Sequence, residues 1–283
     1  MNLLKKLEEN LVNKDGIWVC NDIDNISYPS DGNAQCYQVE NDSFWFNHRN
    51  KVIQALAQIY VQRDQTFLDV GGGNGFVSLG LQEIGYLNSA LLEPGHVGCI
   101  NAKARGLRII INSTAENCNF FINSVPCVGA FDVVEHIQND LEFVSTLNQM
   151  IVPGGTILIT VPALKVLWSE EDRRAGHYRR YTRKSISKLL IESGFEVYYS
   201  SYFFSFLIVP IYLKRVLGSL LRFKSKPNSH EEINELDSND HVKKNSLIGR
   251  IVNVFSNAEL FVIRKLSVIP IGSSIIIVAK KKE

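Results

Sequence analysis

The sequence predicts a doubly wound α/β fold: a seven-stranded, mostly parallel sheet with an N-terminal lid and a helical insertion before the last strand. Three observations predict it. Short apolar runs alternate with amphipathic segments from about residue 66 to residue 201, the pattern of parallel strands joined by crossover helices. A glycine-rich stretch, "FLDVGGGNGF" (Phe67–Phe76), sits where the first run gives way to the first amphipathic segment. A last apolar run, Ser273–Ala279, follows a long stretch of different character.

The elements read as follows. Leu3, Leu4, Leu7 and Leu11 recur at helical spacing, so Met1–Val12 is a short amphipathic helix. It carries Lys5, Lys6, Glu8 and Glu9 and is not a signal peptide. Residues 13–50 are polar and aromatic and read as loops and short helices, and with the first helix they make up the lid, residues 1–50. A helix follows from about Asn50 to Val61. The core, residues 51–201, has strands at Thr66–Val70, Ser89–Leu92, Leu107–Ile111, Gly129–Val134 and Thr156–Val161. Helices are expected at Gly75–Ile84, His96–Ala104 and Asp140–Ile151, with Asn112–Cys127 a further candidate. After the charged loop Pro162–Tyr181, Thr182 caps a helix that Gly194 stops. Phe195–Ser201 is the sixth strand. Residues 202–268 form the insertion and residues 269–283 contain the seventh strand.

Composition bounds the function. The 283 residues are 45% hydrophobic and 21% charged, values of a globular protein with a core. A formal net charge of +1 gives no global attraction to nucleic acid or anionic membrane, and no nucleic-acid partner is expected. The five cysteines, Cys20, Cys36, Cys99, Cys118 and Cys127, are odd in number and lack CxxC spacing. A disulfide framework or zinc ribbon is not expected, nor any metal, and free thiols suit a reducing cytoplasm. No apolar stretch reaches the ~18 residues of a membrane span.

The glycine-rich stretch decides the ligand class. Gly71, Gly73 and Gly75 permit a tight turn with positive φ and close approach of backbone to a ligand. Asp69 ends the first strand two residues before Gly71. Further on, "LLEPG" puts Glu93 at the end of the second strand, where a carboxylate can accept hydrogen bonds from both hydroxyls of a ribose. The dinucleotide pattern G-x-G-x-x-G fails, because its third glycine would fall on Phe76. Asp69 would repel a pyrophosphate but suits the ammonium of S-adenosylmethionine (SAM). The spacing D-x-G-x-G-x-G therefore favours SAM. An NAD-dependent oxidoreductase is the alternative cofactor reading.

With these motifs the chain resembles the class I SAM-dependent methyltransferases. "FDVVEHI" (Phe131–Ile137) and "MIVPGGTILITVPA" (Met150–Ala163) are similar to the fourth- and fifth-strand motifs of the branch containing the quinone-biosynthesis enzymes. The resemblance covers about Asn50–Ser201 and the final strand, and implies a seven-stranded sheet with the last strand antiparallel. It implies that Asp69, Gly71, Gly73 and Gly75 line the methionine and ribose region, that Glu93 holds the ribose and that Pro94 lies near the adenine. Asp132, in the fourth-strand motif, joins this cofactor set. After the third strand the branch often has an acidic residue followed by Ala; here "NSTAEN" puts Thr114 and Ala115 there. The implied activity is methyl transfer to O or N of a small-molecule or lipid-linked acceptor. A methyltransferase-like protein that binds SAM without turnover is the other alternative. The N/D-P-P-Y type motif of amino-methylating DNA enzymes is absent, "DVVEHI" standing in its place.

Acceptor residues come from three clusters. Methyl transfer is an in-line displacement that needs alignment above all, and a base only if the acceptor loses a proton. Glu135 and His136 follow the fourth strand, at the rim where open α/β sheets bind ligands. His136 has a side chain suited to a base, and Glu135 shapes the pocket wall. The loop "LWSEEDRRAGHYRRYTRK" (Leu167–Lys184) offers His177 as a rival base and Trp168, Tyr178, Arg179, Arg180 and Tyr181 as acceptor contacts. Arg179 and Arg180 could grip phosphate or carboxylate, or pair with aspartate and only fix the loop. In the lid, "YQVENDSFWFNHRN" (Tyr37–Asn50) offers Trp45, His48 and Arg49. Its aromatic faces suit a sulfonium or a flat acceptor, or plain docking on the core. Tyr202–Leu221 is apolar yet carries Lys214 and Arg215. It closes a pocket for an apolar acceptor, lies on a membrane surface through 202–222, or forms a homodimer contact. Leu247–Leu266 is a second apolar helix, and the polar composition of 224–245 predicts a mobile linker.

Overall fold

The computed structural model describes residues 3–20, 32–118, 121–212 and 247–283. The predicted linker 224–245 and the second half of the apolar run 202–222 lie outside the described residues.

The strands are β1 (Val12–Lys14), β2 (Ile17–Val19), β3 (Phe67–Val70), β4 (Ser89–Leu92), β5 (Ile109–Asn112), β6 (Val125–Phe131), β7 (Ile151–Pro162), β8 (Phe195–Phe203) and β9 (Ser274–Lys281). They form one sheet in the order β1-β2-β5-β4-β3-β6-β7-β9-β8. Among the described residues the expectation of seven strands is corrected to nine. β1 and β2 are an antiparallel hairpin, and β2 adds parallel to β5 with Trp18 opposite Ile111. Asp15 and Gly16, both at positive φ (51° and 82°), make the two-residue turn that Asp-Gly favours. Strands of three residues are too short to display a period of two, so the run 12–19 read as polar loop.

The other seven strands give the doubly wound order. β3 sits between β4 and β6; the chain winds outward from β3 through β4 to β5, then returns to β6 and winds the other way. The switch point is therefore the crevice between the carboxyl ends of β3 and β6, where such sheets bind ligands. β9 inserts antiparallel between β7 and β8, with Leu158 opposite Val278. β3, β4 and most of β6 are buried on both faces, which explains their mostly apolar composition. Asp69 is the one charged residue in those three strands, and it is fully buried.

The helices are α1 (Leu3–Asn10), α2 (Gly32–Val39), α3 (Phe44–Tyr60), α4 (Phe76–Glu83), α5 (His96–Ala104), α6 (Asp140–Met150), α7 (Glu170–Arg174), α8 (Arg183–Glu192) and α9 (Leu247–Arg264). α3 begins six residues earlier than predicted, so the aromatic cluster Phe44–Phe46 is helical. The candidate helix Asn112–Cys127 gives Asn112 to β5 and Val125–Cys127 to β6. The cap on α8 is the predicted one: Thr182 Oγ1 accepts from the Ser185 amide. Among the described residues no helix is long and apolar enough to cross a membrane.

Candidate active site

The turn after β3 is built around its glycines. Gly71, Gly73 and Gly75 have φ of 67°, 54° and 71°, a region that costs other residues energy. Space also requires glycine at 71, where a Cβ would lie 2.8 Å from Val133 Cγ2. That close approach joins the turn to the segment following β6. Gly75 caps α4.

Two carboxylates flank this turn. Asp69 Oδ2 accepts from Ser78 Oγ at 2.8 Å, while its buried Oδ1 has no hydrogen-bond partner among the described residues. Burial pushes the Asp69 carboxyl up to about 6, against the hydrogen bond from Ser78 and the charge of Arg49. Glu93 lies on the other side. Its Oε2 accepts from the Gly73 amide at 2.9 Å, and its Oε1 from the Gly95 amide at 2.8 Å and Asn33 Nδ2 at 3.3 Å. Burial raises its pKa, and those three donors oppose the rise.

Asn33 belongs to α2, and nothing in the sequence marked it. It is one member of an amide network that holds the lid on the turn. Asn74 Nδ2 donates to the Asn33 carbonyl (2.9 Å) and to Glu40 Oε1 (3.2 Å), and Asn101 Nδ2 donates to Asn74 Oδ1 at 2.9 Å. Arg105 pairs with Glu40 at 2.7 Å and lies over the rings of Tyr37 and Phe76. Asn74 lies inside the glycine motif, and Tyr37 and Glu40 lie in the segment 37–50.

Beyond β4, Asn112 Nδ2 donates to the carbonyls of Glu93 (3.0 Å) and Pro94 (2.9 Å), fixing the end of that strand. Thr114 is half-buried and its Oγ1 accepts from the Asn117 amide at 3.4 Å; Ala115 is buried.

The end of β6 carries the second half of the site. Asp132, at φ 57°, pairs through Oδ2 with Arg49 of α3. Arg49 is also stacked over Trp45 (4.8 Å) and Phe46 (5.2 Å). Glu135 is 1% exposed, and neither carboxylate oxygen has a hydrogen-bond partner among the described residues. Burial holds its pKa well above the usual range, and the charge of Asp132 adds to this. The rings of His136 and His177 meet edge to face at 4.6 Å. Burial and His177 push His136 down to about 4, so its imidazole is neutral at pH 7.

His177 arrives from the loop after β7, which Asp172 organises. Asp172 caps α7 by accepting from the Ser169 amide at 2.8 Å, lies 2.9 Å from His177 Nδ1 and takes Arg180 in a fork at 2.8 and 3.1 Å. Burial opposes its ionisation, but the hydrogen bonds from His177 and Arg180 and the charge of Arg180 hold its carboxyl well below the usual range. Arg180 also donates to the Ala163 carbonyl at 3.0 Å. Arg179 is similarly engaged, with Asp140 at 2.6 Å and the Gln138 carbonyl at 2.6 Å. The hydroxyl of Tyr181 donates to Asp140 at 2.8 Å. Trp168 is half-buried at the start of α7, and Tyr178 is exposed beside Arg179.

Two further residues of α3, His48 and Trp45, reach the insertion. His48 Nε2 lies 2.8 Å from Glu259 Oε2, both side chains 3% exposed. Glu259 also accepts from the amides of Phe204 (2.7 Å) and Ser205 (2.9 Å) and from Ser205 Oγ (2.7 Å). Trp45 stacks on Phe204 at 5.6 Å and 9°. His48 and Trp45 therefore join the lid helix to the insertion, and Glu259 is a residue that sequence periodicity alone did not single out.

The switch-point crevice, the left-handed glycine turn and the carboxylate at the end of β4 define a class I SAM-binding methyltransferase fold. The chain belongs to the methyltransferase-domain family, whose model matches residues 44–200. Its cofactor is S-adenosyl-L-methionine. The residues fit that molecule: the partnerless Oδ1 of Asp69 is a buried acceptor for an ammonium, and Glu93 stands beside the turn for a ribose. A Mycolicibacterium smegmatis protein named "Probable S-adenosylmethionine-dependent methyltransferase" is 26% identical over 159 residues, 55% of this chain. The match spans 61% of that relative's length. The phosphoethanolamine N-methyltransferase 2 of Haemonchus contortus, solved with SAM, superposes with a TM-score of 0.58 at 17% identity, covering 92% of this chain and 59% of that one. The [4+2]-cyclase SpnF superposes at 0.52 and 15% identity, covering 82% and 81%. Both likenesses concern the fold, and the second shows that this fold also carries other chemistry.

Proposed function

We propose that the protein is a SAM-dependent methyltransferase that transfers a methyl group to an oxygen or nitrogen of a small-molecule or lipid-linked acceptor. One observation carries this reading: the glycine turn packs against the segment after β6, which bears a polar cluster. Gly71 packs on Val133, and Glu135 and His136 follow within three residues. SAM supplies an electrophilic methyl carbon on a sulfonium. The task of the chain is to align an acceptor lone pair with that carbon at about 3–3.5 Å. Asp69 and Glu93 grip the two polar ends of the cofactor, and Arg49, held by Asp132, closes the crevice beneath the lid.

The lipid-linked option draws support from apolar side chains on the surface of the insertion. Val209 and Tyr212 beyond β8, and Ile251, Val254, Phe255 and Phe261 on α9, are exposed, as at a surface that meets lipid or another protein. Within the family, the segments 131–137 and 150–163 favour kinship with the quinone-biosynthesis branch.

The test is label transfer from methyl-labelled SAM into the low-mass and lipid fractions of a cell extract. The reading expects label in one of them, lost with Glu93→Ala. Bound cofactor with no label transferred to any fraction would leave a SAM-binding protein without turnover.

A further inference from the structure

We infer that Glu135, His136 and His177 form a site for one divalent transition-metal ion, which takes an acceptor oxygen in its open positions. The second half of the inference rests on the methyltransferase reading; the first does not.

The three residues each offer a donor atom, and these atoms lie within 4.8 Å of one another. Ligands about 2.0–2.2 Å from a metal stand roughly 3–4 Å apart, so closure by about 1 Å completes the site. The independent observation is the Glu135 carboxylate, 1% exposed with both oxygens lacking a hydrogen-bond partner. Buried polar groups without partners are costly and rare, and a cation bound by this one would remove the deficit.

The surroundings fit a ligand shell. Asp172 holds His177 through Nδ1 at 2.9 Å, which leaves Nε2 with its lone pair. This carboxylate–histidine arrangement is the usual support for a metal-bound imidazole. His136 is braced by the backbone at Ala175. The nearby charges are accounted for: Arg49 pairs with Asp132 and Arg180 with Asp172. Three carboxylates, Asp132, Glu135 and Asp172, against these two guanidiniums leave a net charge of −1 once Glu135 is ionised, and a cation offsets it.

The donor set names the ion. Two imidazoles and one carboxylate suit zinc, iron, cobalt or manganese rather than calcium or magnesium, which prefer oxygen ligands. Three protein ligands leave positions open, as in catalytic rather than structural sites. A hydroxyl acceptor bound there would have its pKa lowered by the metal. Its proton would pass to solvent, and its oxygen lone pair would be free for the methyl carbon, the pair of the broken C–S bond staying with sulfur.

The test is titration of chelator-treated full-length protein with Co2+, followed by visible absorption, and with Zn2+ by calorimetry. The inference expects one equivalent bound through nitrogen and oxygen, with no thiolate charge-transfer band. Glu135→Gln and His177→Ala should each weaken binding about tenfold or more while leaving affinity for S-adenosylhomocysteine unchanged in the folded protein. No stoichiometric binding, a thiolate spectrum, or binding in both variants as tight as in the unaltered protein would overturn it. Metal binding fails alone if S-adenosylhomocysteine still binds; if the metal binds and S-adenosylhomocysteine does not, the cofactor reading fails instead.

Discussion

The cofactor turn and the loop after β7 both carry charge, yet they use it in opposite ways. In the turn, Asp69 keeps a buried oxygen without a partner, and Glu93 is held by two backbone amides and an asparagine. In the loop, the arginines are committed to the chain itself: Arg180 to Asp172 and Ala163, Arg179 to Asp140 and Gln138. The lesson is that a run of arginines in a rim loop is as much a scaffold as a grip. Here the scaffold presents His177 to Glu135 and His136.

The largest expected effect would break that comparison. Arg180→Ala leaves Asp172 buried without its guanidinium, and losing one partner of such a pair costs about 3–5 kcal/mol. A denaturant melt should report that loss, with the cofactor turn intact in any protein that remains folded. Unchanged stability with a raised acceptor KM would make Arg180 a grip after all.

Next comes the cofactor side. Glu93→Ala removes a carboxylate proposed to bond the ribose, each such charge-assisted bond being worth about 1.5–3 kcal/mol. Affinity for S-adenosylhomocysteine should fall about tenfold or more by calorimetry, and equal affinity would remove Glu93 from the site.

Asp69 gives a pH signature. Its carboxyl sits at about 6 in the free protein, and an ammonium prefers the ionised form. S-adenosylhomocysteine affinity should be flat above pH 7 and weaken as the pH falls through 6, and Asp69→Asn should be weaker and flat. The stability sign is the reverse. The folded pKa is above the unfolded one near 4, so the penalty is absent below about 4 and full above 6. Asp69→Asn should therefore stabilise the free protein at pH 8, and a pH-independent Asp69 would contradict its burial as the cause.

The smallest effect belongs to Arg179. Its pair with Asp140 is partly solvated, so Arg179→Ala should change stability by less than about 1 kcal/mol. A larger loss would make the outer arginine as structural as Arg180.

The same contrast explains what the sequence could reveal. Asp69, the three glycines and Glu93 lie on consecutive β-strands and the turn between them, so their spacing in the chain is their spacing in space. β3, β4 and β6 were legible for a different reason, since burial on both faces writes a mostly apolar run. The polar cluster after β6 joins residues 135 and 136 to residue 177, and Asp172 reaches Arg180 through a loop whose path no periodicity encodes. Asn33 and Glu259 act across 60 and 211 residues, to Glu93 and His48 respectively. The β1–β2 hairpin was announced only by Asp15-Gly16.

The most direct test of the account is calorimetric titration of the purified protein with S-adenosylhomocysteine and, separately, NAD. The account predicts binding of S-adenosylhomocysteine in the micromolar range, weakened by Glu93→Ala, and none of NAD. Binding of NAD alone would contradict it.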